Sequence, residues 1–268
     1  MSHKLFMTML KENQKSISGF AFGTVLYMWM VIWIYPSLAK SSGMNEMLQS
    51  MPDNFLRAFG LENGIQKLSD YLAAEFYGLL FLIILSIYCV MAGTQLVARL
   101  VDRGSMAYLL STPTSRVKIA ITQLSVLIFG LLVIVLFATA GGVLGTLWIS
   151  GSAELDMSLF IQMNLVGFLL FFVISAYSFL FSCLFNDEKT ATSVSAVVTI
   201  VFFALHLVGR LSPDVDWLLN LTIFSAFDPQ EISNGTADIL IPSLGLLGAG
   251  IILYVLSIIV FRKKDLPL

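Results

Sequence analysis

The sequence predicts an all-α integral membrane protein. It has six transmembrane helices, both termini in the cytoplasm, an N-terminal interfacial amphipathic helix, and a short cytoplasmic helix between helices 2 and 3. Three observations carry that prediction. Of 268 residues, 57% are hydrophobic and only 12% charged, about half the charged share usual in soluble domains. The charges are clustered, so that Ser16–Ala39, Phe76–Ala98, Ile119–Ala153, Met157–Asn186, Thr190–Gly209 and Ile239–Phe261 contain none. The basic residues gather on one side of the alternation that these windows impose. A soluble monomer this apolar would leave large apolar patches exposed, which soluble monomers avoid.

Each charge-free window reaches the ~20 residues that a helix needs to cross the hydrocarbon core. Uninterrupted apolar runs are not the alternating strands of a barrel, and only helices or closed barrels satisfy the backbone in lipid. The spans fall near 16–36, 76–98, 117–141, 159–184, 190–210 and 241–261, in one transmembrane domain covering residues 1–268. On one side lie Lys4, Lys11, Lys15, Arg99, Arg103, Arg116, Lys118, Lys189, Arg262, Lys263 and Lys264, which are 11 of the 15 basic residues. Excess Lys and Arg mark the cytoplasmic side, so the ends are expected inside and 36–75 and 210–238 outside. A signal-peptide reading of the N-terminus, with Ser37-Leu38-Ala39 as its cleavage site, fits less well. The apolar run exceeds the ~7–15 residues of a signal h-region.

Before the first span, Leu5, Phe6, Met9 and Leu10 share one helical face, and Lys4, Lys11 and Lys15 the other. That pattern suits a helix lying in the inner interface. Trp29, Trp33 and Tyr35 close the first span as an aromatic belt. In the first external segment, Asp53 or Asn54 caps a short helix with Leu56 and Phe59 on its apolar side. In the third span Gly141 and Gly145 stand four apart, as do Gly245 and Ala249 in the sixth, the spacing of closely approaching helices. The third window exceeds one straight pass, and Gly141-Gly142 marks the place for a tilt, kink or emergence.

Residues 98–118 form the longest and most charged cytoplasmic connection. Met106, Leu109 and Leu110 have helical spacing, and Ser111 or Thr112 before Pro113 is a helix-start signal for the third span. A topogenic loop explains the arginines but needs no apolar face, so that face reads as a docking surface.

Here the chain resembles the permease subunits of ABC-2-type transporters. Arg103-Gly104-Ser105 and Tyr108-Leu109-Leu110-Ser111-Thr112-Pro113-Thr114-Ser115-Arg116 match a pattern that members show at this place. Phe59-Gly60-Leu61, Tyr71-Leu72-Ala73-Ala74-Glu75 and Phe227-Asp228-Pro229 extend the resemblance along the chain. Leu100 and Asp102 replace the two glutamates that members often carry, and Ser105 the usual Thr. The resemblance implies an ATP-driven exporter in a prokaryotic plasma membrane, built from two permease chains, identical or related, and two separate ABC ATP-binding subunits. The loop then supplies a coupling helix that docks on the ATPase through Arg103, Gly104, Met106, Tyr108, Leu109, Leu110, Pro113 and Arg116. Asp187, Glu188 and Lys189 would make a secondary inner contact. The N-terminal helix resembles the family's elbow helix, and 217–227 its external re-entrant segment.

The chain contains no Gly-x-x-x-x-Gly-Lys-Ser/Thr, His-Glu-x-x-His or Gly-x-Ser-x-Gly. No catalytic residue, metal site or cofactor is therefore expected in this chain, and ATP and Mg are expected on the partner subunit. Cys89 and Cys183 read as buried free thiols. His206 lies inside a span near its outer end, where a neutral, hydrogen-bonded role is favoured over a proton relay. Asn164, Gln123, Thr192, Ser193, Ser195 and Thr199 either line a path or bond neighbouring helices. Asn220-Leu221-Thr222 and Asn234-Gly235-Thr236 fit the glycosylation acceptor pattern, which occurs often by chance.

Two other classes compete. A secondary transporter driven by an ion gradient needs membrane-embedded carboxylates, and none of the 17 acidic residues sits centrally in a span. A non-transporting accessory or immunity protein needs no such groups and stays open. The apolar bundle suits lipids, amphipathic peptides or hydrophobic antibiotics better than sugars. Nothing in the sequence points to a nucleic-acid partner.

Overall fold

A computed structural model of the chain describes residues 2–39, 41, 47, 50–61, 64, 67–112, 114–148 and 155–265. All the regular structure within them is helical. The elements are α1 (His3–Ala39), α2 (Asp53–Ala58), α3 (Leu68–Tyr71), α4 (Phe81–Gln95), α5 (Ala98–Asp102) and α6 (Ser105–Leu110), then α7 (Arg116–Trp148), α8 (Met157–Leu184), α9 (Glu188–Leu211), α10 (Pro229–Ser233) and α11 (Leu240–Lys263). A π-helical stretch, Leu72–Leu80, joins α3 to α4. Two 3-10 segments, Pro213–Leu221 and Ile223–Ala226, precede α10. Among the described residues six helical runs are long and apolar enough to cross a membrane, namely α1, Leu68–Asp102 (α3 to α5), α7, α8, α9 and α11, at the six positions that the charge-free windows predict.

The bundle is built around α8, whose most apolar stretch is 72% buried, against 22% for α9. Helix α8 packs on α4, α7, α9 and α11, and α1 lies along α7. Phe81, Phe171, Phe227 and Tyr77 fill the centre, all 0–1% exposed and in edge-on contact around Tyr77 and Phe81. The outward faces of α9 and α11 present Val197, Ile200, Leu240, Ile241 and Leu244. Large apolar residues standing free in rows suit a lipid solvent and not water.

Two local expectations change. Lys4–Lys15 is no separate helix lying in the interface but the first turns of α1, which runs unbroken for 37 residues. At ~1.5 Å per residue α1 is about 55 Å long, well beyond a hydrocarbon core of about 30 Å. Polar groups at the junction bond back to their own helix, Asn13 Nδ2 to the Met9 carbonyl and Ser18 Oγ to the Gln14 carbonyl, so nothing there invites a break. Likewise α7 passes through Gly141-Gly142 as continuous helix. A Cβ on Gly142 would stand 2.4 Å from Phe160 Cζ, and one on Gly145 2.8 Å from Ile32 Cδ1. These glycines therefore serve close approach to α8 and α1. Gly245 has nothing within 4 Å of its would-be Cβ, and in α11 it is Gly250 that receives a ring, that of Phe172.

At the end of the bundle far from residues 98–118, α2 packs on α9. Its cap position is Pro52, with no side-chain cap bond. The chain after α9 folds back along that helix: Thr222 Oγ1 donates to the Phe202 carbonyl at 2.8 Å, about 14 Å below the end of α9 at Leu211. Arg210 pairs with Asp228 at 3.0 Å, and Asp228 caps α10 through the N–H groups of Gln230 and Glu231.

Candidate functional site

Helix α4 breaks at Leu96 because the next backbone groups bond elsewhere. Ser182 of α8, wholly buried, accepts from the N–H of Ala98 at 2.8 Å and of Val97 at 3.3 Å. Its own hydroxyl donates to the Thr94 carbonyl at 2.7 Å. Three backbone groups at the turn are thus satisfied from one side chain, and the chain is free to change direction into α5. Gly104 follows with φ +69°, a left-handed conformation that costs glycine no Cβ clash, and opens α6.

Met106 is 0% exposed and belongs to the protein's own second core, with Met9, Leu96, Val97, Ile119 and Phe179. Leu109 and Leu110 are half-buried against the same core. The apolar side of α6 is consequently covered from within. What faces outward is Tyr108, 80% exposed, with Ala107, Ser111 and Thr112 beside it and Arg103 one turn away. Pro113 lies outside the described residues. Helix α7 starts at Arg116, with Ser115 Oγ accepting from the Lys118 N–H, so its start falls after the Ser111–Thr112 signal.

The predicted secondary contact is joined to this hairpin. Arg99 lies 3.7 Å from the Glu188 carboxylate, and Asp102 accepts from the Glu188 N–H at 3.4 Å. Asp187 caps α9 by accepting from the Thr190 N–H at 2.7 Å; these bonds with Thr190 hold its carboxyl below the ordinary carboxylate range. Lys189 is exposed. Arg116 does not face outward alone, because its Nη1 donates to the Lys264 carbonyl, while Lys264 Nζ donates to the Phe185 carbonyl at 2.7 Å. Burial pushes the Lys264 ammonium below the ordinary lysine range. The hairpin, the 185–189 turn, Ser2 and Lys264 therefore meet at one end of the bundle. The N-terminal contribution is the Ser2 N–H bonded to Thr122 Oγ1 at 3.1 Å.

Polar side chains inside the bundle mostly pair between helices. Thr94 meets Thr192 at 2.9 Å, Ser175 meets Tyr254 at 2.7 Å, Tyr177 meets Thr199, and Asn164 Nδ2 donates to Tyr77 at 2.8 Å. Ser195 bonds the Ala191 carbonyl, and Ser193 is exposed. Four buried polar groups have an atom without a partner among the described residues: both amide atoms of Gln123, Asn164 Oδ1, Ser178 Oγ and His206 Nδ1. His206 is 6% exposed beside the ring of Phe224. Cys89 and Cys183 are buried free thiols. Among the described residues no group of three or more His, Cys, Asp or Glu side chains could hold a metal.

Sequence reasoning placed residues 98–118 and 187–189 in separate loops and did not join them. It also passed over Ser182, because a lone serine within a span carries no motif. No curated protein matches the chain. A family model described as Multidrug efflux system permease Rv1217c, C-terminal domain, matches residues 6–262. With that match running from the first turns of α1 to the last of α11, the chain belongs to this family of efflux-system permease domains.

Proposed function

We propose that this chain is the membrane-spanning half of an ATP-driven exporter of the ABC-2 type. In this reading, residues 98–118 and 187–189 face the cytoplasm and dock on a separate ATP-binding subunit, and a second permease chain completes the transporter. The single observation that supports it best is the joined end of the bundle. An exposed aromatic, Tyr108, tops a short helix whose other side is locked into the core through Met106. Force applied at Tyr108 thus passes to α4 and α8 through Met106 and the Ser182 hub, while Arg99–Glu188 carries it to α9. The sequence has no phosphate-binding loop, which is consistent with a partner as the source of energy. ATP binding would close the partner subunits and shift the hairpin, and the bundle would alternate between two access states.

The family description concerns multidrug efflux. Amphipathic or hydrophobic compounds suit the apolar interior and lipid-facing helices here. An ion-gradient mechanism has less support, since the buried polar groups are amides and hydroxyls apart from His206 and one carboxylate, Asp70, which accepts from Ser233 Oγ at 2.8 Å near the end of the bundle away from residues 98–118.

Co-expression with ABC ATP-binding proteins from the same genome tests the reading. The tagged chain is expected to retain one of them through purification, and Tyr108→Asp to lose it while keeping its own fold. Leu109→Asp is a poor probe, because Leu109 packs on the chain's own core. A chain that never retains an ATP-binding protein, or drug efflux abolished by an uncoupler at constant ATP, would refute the proposal.

A further inference from the structure

A pocket of about 440 Å³ opens between the first turns of α1 and the α4–α6 hairpin, a size within the range of small-ligand sites. Its wall is mixed: Met9 and Leu96, 7% and 3% exposed, and the half-buried Leu100 give it an apolar patch, with Asn13, Ser16 and Gln95 beside them. Its rim carries three cations, Lys15, Arg99 and Arg103, against one carboxylate, Glu12. Arg99 also reaches Glu188 at 3.7 Å, which leaves part of its guanidinium for the pocket. Neither Lys15 nor Arg103 forms an ion pair among the described residues, and both are exposed. Like charges gathered around one concavity repel each other unless an anion sits among them. An apolar patch beneath a basic rim, beside Lys15, the last charge before the apolar run of α1, matches an amphiphile whose charged end is a phosphate.

We propose that this pocket binds a phosphate group, that of an anionic membrane phospholipid, with Lys15, Arg99 and Arg103 around the phosphate and Met9 and Leu96 against its apolar portion. The bound lipid then fastens the start of α1 to the hairpin, two elements that otherwise meet here mainly through Met9 and its core neighbours. The inference stands on the pocket alone and holds whether or not an ATP-binding subunit docks nearby.

The test uses the full-length protein purified in detergent and titrated separately with phosphatidylglycerol, phosphatidylcholine and sodium phosphate. Bound lipid is read by native mass spectrometry and the melting temperature in parallel. Phosphatidylglycerol is expected to bind at least about tenfold more tightly than phosphatidylcholine. Lys15→Gln and Arg103→Gln should each weaken it about fivefold, as one basic residue near an anionic lipid surface is worth. Glu12→Gln should tighten it, an effect in the opposite direction that misfolding does not produce. Equal affinity for the two lipids, or phosphatidylglycerol binding unmoved by all three substitutions, overturns the proposal. If sodium phosphate alone raises the melting temperature with the same dependence on Lys15 and Arg103, the phosphate site stands. The lipid as its source, and the role of Met9 and Leu96, are then refuted.

Discussion

Ser178 and Ser182 lie one turn apart on α8, both wholly buried, yet only the replacement of Ser182 with alanine should lower stability. Ser182→Ala orphans the Ala98 N–H, bonded at 2.8 Å, and weakens the satisfaction of Val97 and Thr94. A buried donor left without a partner costs about 1–3 kcal/mol; one full loss and two partial ones place the total near ~2–3 kcal/mol. For a chain of this size each kcal/mol shifts Tm by roughly 2–4 °C, so Ser182→Ala should melt about 5–10 °C lower. Ser178 Oγ has no partner among the described residues, so Ser178→Ala removes an unsatisfied hydroxyl and should leave Tm unchanged or raise it slightly. Its Cβ, which fills the space against Gly93, is kept in alanine. Thermal unfolding in a single detergent, followed by intrinsic fluorescence, reads both. Equal shifts for the two variants would refute the view that Ser182 holds the break between α4 and α5.

Glycine substitutions in two spans should likewise diverge. Gly142→Ala puts a Cβ 2.4 Å from Phe160 and should destabilise by about 1–3 kcal/mol. Gly245→Ala meets nothing within 4 Å and should be neutral or gain up to about 1 kcal/mol from helix propensity, both read by the same melting assay. Arg116→Gln removes the charged donor to the Lys264 carbonyl, and proteolysis should then reach the C-terminal end of α11 sooner. Because the Asp187 carboxyl is held below its ordinary value of 3.8 by Thr190, its anion favours the fold at neutral pH. That contribution is lost as acidification passes through the folded value, and Asp187→Asn should flatten the acid limb of the stability profile.

Charge-free windows made the six spans legible because lipid tolerates few charges, a constraint that no packing detail can override. Gly141 and Gly145 were legible as contact points for the same reason that Gly245 was not. Spacing shows where a helix is thin, whereas only the neighbours decide whether another helix uses it. The unbroken α1 was missed because a change in composition near Ser16 looks like a boundary, while a helix continues wherever its backbone bonds do. Nor did any local pattern announce the π-helical stretch Leu72–Leu80, which carries Phe76 and Tyr77 into the aromatic centre. At the candidate site, the spacing of Met106, Leu109 and Leu110 pointed to an apolar side of the 105–110 helix. It could not say that this side faces the chain's own core and leaves Tyr108 as the exposed aromatic.

The orientation and partnership of that tyrosine are the most direct point of attack. Cys89 and Cys183 are buried, so Tyr108→Cys introduces an exposed thiol at the site in question. A membrane-impermeant maleimide should leave it unmodified in intact cells and label it in inside-out vesicles stripped of peripheral proteins. Adding the proposed ATP-binding subunit should then block the label. Modification in intact cells, or labelling that the ATP-binding subunit does not slow, would contradict the account.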